Sequence, residues 1–288
     1  MAIESTLWRF GYCKSLGVGW ARRLLSGRVA SMGVIVFTNQ KGGPGKSTLT
    51  VLYAHWLAEK RGERVAVVDL DSQRNSSKTL QAFSGGIPSA ALFDAAEIAV
   101  PAASAGSVAL FAGSRSLVDL ERARPDVVIP AFRQHMAALA SRFDTCVIDT
   151  PPALGLRMSA ALIAATHVAC PIELEEYSID GVTDMLKTVF GVRQKYNPQL
   201  KLAGIIANRF NAHSARQRQA LADLLTHYER FVIPAKISTR SAIPEALAAG
   251  VPVWRLAKTS AREASLEVLR VFELLHQRIV ATEVVEVA

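Results

Sequence analysis

Asn39-Gln40-Lys41-Gly42-Gly43-Pro44-Gly45-Lys46-Ser47-Thr48 decides how the rest of the chain is read. Gly45, Lys46 and Ser47 have the residues that end a P-loop. In such a loop backbone N–H groups cradle phosphates, a lysine reaches the β/γ oxygens and a serine hydroxyl holds Mg²⁺. Gly42, Gly43, Pro44 and Thr48 complete the expected cradle, although Pro44 has no N–H to offer a phosphate. The flanks agree with this reading. Val34-Ile35-Val36-Phe37 is a buried-strand run, and apolar residues recur at helical spacing from Ser47 to Lys60. A strand, a Gly-rich turn and a helix N-terminus together make an anion site.

The loop departs from the ordinary pattern at Gln40, where a glycine is usual, and it carries a second lysine, Lys41. Lys-Gly-Gly-x-Gly-Lys-Ser resembles the deviant Walker A box of the ParA/MinD family of ATPases. The resemblance implies ATP and Mg²⁺ as cofactors and an ATP-dependent homodimer. In such a dimer Lys41 crosses the interface to the partner's nucleotide. Two phosphate tails facing each other need more positive charge than one lysine supplies. The plainer alternative is a solvated loop lysine.

Two further strands end in carboxylates. Val65 to Leu70 delivers Asp69 and Asp71, followed by Ser72-Gln73. The string resembles the family's Asp-x-Asp-Pro-Gln switch, with Ser72 in place of proline. By that resemblance Asp71 positions the attacking water and Asp69 supports the Mg²⁺ shell, so the catalytic set is Lys41, Lys46 and Asp71. Capping of the next helix by Asp71 or Ser72 is the competing reading. Thr145-Cys146-Val147-Ile148-Asp149 is a Walker B strand, whose carboxylate holds Mg²⁺ through water together with Ser47. Thr150-Pro151-Pro152-Ala153-Leu154-Gly155 resembles the switch that follows it.

Strand and helix patterns alternate to the end. Strands are expected at 108–111, 168–172, 202–207 and 231–233, and helices at 127–143, 179–196, 215–228 and 266–279. A short helix at 92–98 interrupts an Ala/Gly/Ser/Pro-rich connection at 84–107. The expected fold is α/β, a mostly parallel twisted sheet with helices on both faces, with residues 32–288 as one P-loop domain. The family resemblance places Asn208 and Pro234, each after a strand, beside the adenine base; turn chemistry explains both equally simply. It extends to Glu245-Ala246 and Gly250-Val251-Pro252-Val253.

The chain has 288 residues, half of them hydrophobic, and a formal charge of +8. Residues 1–31 hold a net +4 of that charge and two of the four tryptophans. They lack a secretory pattern, and Met32-Gly33 precedes the first strand as a natural start would. This segment is expected to be a flexible extension or a misassigned start. Counted from Met32, too little precedes the P-loop for an operator-binding helix-turn-helix. No apolar run approaches the ~20 residues that span a bilayer. Cys13, Cys146 and Cys170 have no CxxC spacing, which fits a reducing cytosol and disfavours a third option, an iron–sulfur or metal-carrier ATPase.

Among the remaining options a ParA-type partition ATPase leads. It would be cytoplasmic and nucleoid-associated, bind DNA without sequence preference and respond to a ParB-like partner. By resemblance its DNA face would include Arg216, Arg218, Lys236 and Arg240, each of which reads otherwise as a solvated charge. A MinD-like membrane cycler would need a basic amphipathic last helix. Here that helix is followed by an acidic tail, so packing on the core is expected and stable membrane anchoring is not.

Overall fold

The computed structural model describes residues 33–174 and 179–287; residues 1–32, with the expectations made for the N-terminal segment, lie outside the described residues. Continuous Val/Ile runs form strands buried on both faces, as parallel strands under helices must be. They are β1 (Gly33–Phe37), β2 (Val65–Asp69), β4 (Val108–Ala112), β5 (Thr145–Asp149), β6 (His167–Glu173) and β7 (Lys201–Phe210). Two edge strands differ in composition: β3 (Ser84–Pro88) and β8 (Val232–Ser238). All pairings are parallel, in the order β3-β4-β2-β5-β1-β6-β7-β8.

Side chains alternate across the sheet and feed two cores. Val34 and Val36 join α3 (Pro125–Arg142), α4 (Leu156–Ala164), α5 (Ile179–Lys195) and α6 (Ala215–Tyr228) on one face. Ile35 and Phe37 join α1 (Lys46–Arg61), α7 (Ala242–Ala248) and α8 (Thr259–Val287) on the other. Each fully buried aliphatic side chain adds about 1.5–3 kcal/mol, which is what holds the central strands in register. The short α2 (Asn75–Thr79) follows β2.

Several boundaries differ from the sequence reading. A 3₁₀ turn at Ser89–Phe93 replaces the short helix, and β3 and α4 come in addition to the expected elements. β8 starts at Val232 and runs on to Ser238, so the strand does not end at Pro234. Proline is tolerated inside it because β8 is an edge strand.

Candidate nucleotide site

The central register places three loop-bearing strand ends side by side: Phe37 opposite Asp149, and Asp149 opposite Asp69. The crevice outside the carboxyl ends of parallel strands is where ligands of such sheets bind. The loop between β1 and α1 occupies it. Gly43 and Gly45 have φ of 92° and 88°, the left-handed region that glycine enters without penalty. At Gly45 space is also decisive, since a Cβ would lie 2.3 Å from Asn208 Nδ2. That amide donates to the Pro44 carbonyl at 2.8 Å, so Asn208, at the end of β7, braces the loop directly. Asn39 braces its start, donating to Pro171 O (2.6 Å) and accepting from Lys41 N–H (3.0 Å).

A cavity of about 260 Å³ opens over the loop, lined by residues 42–48, Asp71, Gln73, Asn75 and Pro152. Lys46 is buried at its floor and its Nζ donates to Lys41 O at 2.9 Å. Burial lowers its pKa, with the charges of Asp149 and Asp71 opposing. Lys41 is half-buried and immediately precedes the lining residues.

Asp149 is fully buried. Its Oδ2 accepts from Ser76 Oγ at 2.7 Å, whereas its Oδ1 has no protein partner. Burial, reinforced by Asp69, pushes its pKa up to about 7, with the hydroxyls of Ser47 and Ser76 opposing. An unsatisfied buried carboxylate oxygen is costly unless a cation or water meets it. Asp149 and Ser47 therefore offer the hard-oxygen donors that suit Mg²⁺.

Asp69, expected to support the Mg²⁺ shell, is engaged by its own neighbours. Its Oδ1 accepts from Asp71 N–H (3.0 Å), and its Oδ2 from Ser77 N–H (2.9 Å) and Ser77 Oγ (2.6 Å). Both oxygens accept hydrogen bonds inside the protein, tying Asp71 and α2 to the end of β2. Asp71 itself faces the cavity, with Oδ1 accepting from Gln73 N–H at 2.9 Å. Pro234 does not follow its strand as expected: it lies inside β8, with four residues of the strand after it.

The four expected DNA residues divide. Arg216 and Arg218 are exposed in the first turn of α6, Arg218 donating to Ala212 O at 2.8 Å. Lys236 is exposed on β8, its Nζ 4.2 Å from the centre of the Phe210 ring. Arg240 is different. Its guanidinium donates to Glu263 (2.6 Å) and Glu267 (2.8 Å) on α8, so its charge is already neutralised.

Sequence reasoning missed Ser76, Ser77 and Arg209. The two serines follow the Asp-Leu-Asp-Ser-Gln string after Arg74 and Asn75, and paired hydroxyls so near it are a readable signal. Arg209 was not legible as a loop contact. It sits at φ 53°, and its guanidinium reaches Gly43 O and Glu173 Oε2, each at 3.4 Å.

Comparison with known proteins sharpens this geometry. A family model described as an AAA domain matches residues 32–202. The chain is 42% identical to Protein IncC of Escherichia coli over 260 residues, covering 87% of this chain and 71% of that one. It is 31% identical to the chromosome-partitioning ATPase Soj of Thermus thermophilus, covering 78% and 89%. A solved structure of cobyrinic acid a,c-diamide synthase from Mycobacterium smegmatis, with bound ATP analogue and magnesium, superposes with a TM-score of 0.66 at 25% identity. That match covers 86% of this chain and 93% of the other.

Proposed function

As a member of the ParA/MinD family of P-loop ATPases, this chain hydrolyses ATP, and we propose that residues 32–288 act as a partition ATPase. In this reading the chain forms an ATP-sandwich homodimer, binds DNA without sequence preference and is stimulated by a ParB-like partner. One observation carries the reading: the two lysines of the loop are separated. Lys46 is buried at the cavity floor, while Lys41 stands ahead of the lining residues. A cavity already served by one lysine has less use for a second than a facing nucleotide has. The name of the chromosome-partitioning ATPase Soj supports the partition reading within the family.

In the site, Lys46 and the backbone of residues 42–48 bind the phosphates. Asp71 orients the attacking water, and Asn208 stays as the base-side residue at the end of β7. Mg²⁺, held by Ser47 and by Asp149 through water, would offset charge on the β- and γ-oxygens. The ATP analogue and magnesium in the Mycobacterium smegmatis structure support these cofactors.

The last helix bears on the MinD-like alternative. Val268, Val271, Phe272, Leu275 and Ile279 of α8 are buried in the core, so this face is not available to lipid. Among the described residues no helix is long and apolar enough to cross a membrane. The test is ATP turnover and ATP-dependent binding measured with random-sequence duplex DNA and, separately, with anionic vesicles. Partition activity predicts a response to DNA, and with it nucleoid association in cells. A response to vesicles but not to DNA would replace this reading with the membrane one.

A further inference from the structure

The peptide unit that joins Leu70 to Asp71 is gripped at both ends. Its N–H donates to Asp69 Oδ1 at 3.0 Å, and its carbonyl accepts from Arg157 Nη1 at 2.9 Å. Arg157 belongs to the first turn of α4, just after the Pro151-Pro152 turn, and its side chain is only 8% exposed. A guanidinium so buried is stable only where carboxylates and carbonyls surround it. Glu121, in the 3₁₀ turn Arg115–Arg122, completes its surroundings. Glu121 Oε1 accepts from Arg157 Nε at 2.8 Å, and Oε2 accepts from the Leu156 N–H at 2.6 Å. Gly155 makes room for this carboxylate, since a Cβ there would lie 2.3 Å from Oε2. One Arg–Glu pair thus ties the turn after β5, the start of α4 and the backbone of Asp71 into a single unit.

We infer that Arg157 and Glu121 are positioning residues for ATP hydrolysis, a latch through which the turn after β5 sets the orientation of Asp71. The inference rests on the reading of Asp71 as the residue that orients the attacking water. Neither Arg157 nor Glu121 lines the nucleotide cavity, so the latch acts on the chemical step and not on nucleotide affinity. Without Arg157 the Leu70 carbonyl loses its donor and the peptide can rotate. A displacement of about 1 Å at a positioned group is enough to cost up to about 10²-fold in rate.

The test is a split between kcat and affinity, measured on the full chain. Arg157→Leu should lower kcat roughly tenfold or more while the Kd for a fluorescent ATP analogue stays within about twofold. Arg157→Lys, which can reach one partner but not both, should recover part of the loss. Glu121→Gln, which keeps the shape and the Leu156 bond but not the charge, should fall between the two and covers the case in which Arg157→Leu does not fold. Combining Arg157→Leu with Asp71→Ala should add nothing to the Asp71→Ala defect. An unchanged kcat in Arg157→Leu and Glu121→Gln, or a loss of affinity matching the loss of kcat, overturns the latch. Wild-type hydrolysis in Asp71→Ala alone would instead remove the reading of Asp71, so the two failures are told apart.

Discussion

Lys46 and Asp71 line one cavity, and the proposed mechanism gives them different steps of turnover. Lys46 is the cation at its floor, so Lys46→Ala should weaken ATP binding by at least about tenfold, read by titration with a fluorescent analogue. Asp71→Ala should bind ATP with little change and hydrolyse it about 10²-fold more slowly, the usual scale for a lost general-base or water-positioning group. Hydrolysis at the wild-type rate would end that assignment. Lys41 separates from both. Lys41→Ala should still bind nucleotide within one subunit, yet sediment as a monomer with a slowly hydrolysed ATP analogue; a normal ATP-dependent dimer would make it an ordinary loop lysine. That residues 42–48 and Asp71 share one cavity was legible because phosphate chemistry dictates residue type at fixed spacing. The partners of Asp69 were not legible: sequence shows a carboxylate but not who donates to its oxygens, and here Asp71 and Ser77 do. Arg157 was invisible because a lone arginine in an apolar helix looks like a surface residue until its burial is known.

The long helix α8 shows what burial does to a titrating group. His276 lies in the core against the Trp56 ring, with ring centres 5.3 Å apart, and its Nδ1 has no hydrogen-bond partner. Burial, then the charge of Arg61, pushes its pKa from 6.5 to about 4, with Glu273 opposing. His55, on α1, is lowered by burial as well. As pH falls below 6.5 the unfolded chain takes up these protons first. The contribution of these two histidines is therefore full above that value and declines as pH drops through the window toward 4, while Asp149 and Asp69, whose pKa burial raises, contribute with the opposite sign over the same range. Glu267 and Glu121, both held below 4.5, lose their contributions only at lower pH. The expected result is therefore a difference: relative to wild type, His276→Phe should gain Tm as pH falls from 6.5 to 4, and a gap between the two proteins that stays constant across that range would refute it. At this scale the interior strands were readable, since burial on both faces leaves continuous apolar runs. The edges were not. β3 is Ser-Gly-Gly-Ile-Pro, and β8 carries Pro234, Lys236 and Ser238, because an edge strand needs apolar residues on fewer positions. The helix α4 was hidden behind the two prolines of the turn that leads into it.

For the whole molecule, the doubly covered sheet was legible from alternation alone, whereas the proposed DNA face depends on which charges are already paired. Of the four basic residues expected there, Arg240 is bound to Glu263 and Glu267, and Arg216, Arg218 and Lys236 are exposed. In the proposed partition reading one subunit has too few phosphate contacts to bind well, and dimerisation doubles them, which would make ATP the switch for DNA affinity. Binding should then require ATP, ignore sequence and weaken with salt at a log–log slope of roughly −0.9 per phosphate neutralised. Replacing Arg216 and Arg218 together removes two charges per subunit and should flatten the slope of the dimer by up to about 3–4 units, leaving basal ATP hydrolysis intact. Arg240→Ala behaves differently. It strands Glu263 and Glu267, so it should lower Tm while barely moving the slope. Fluorescence anisotropy on a random-sequence duplex across a salt series reads all three proteins. Equally tight binding without nucleotide, or a slope unmoved by the Arg216/Arg218 pair and steepened or flattened by Arg240→Ala, would place the DNA face elsewhere on the molecule.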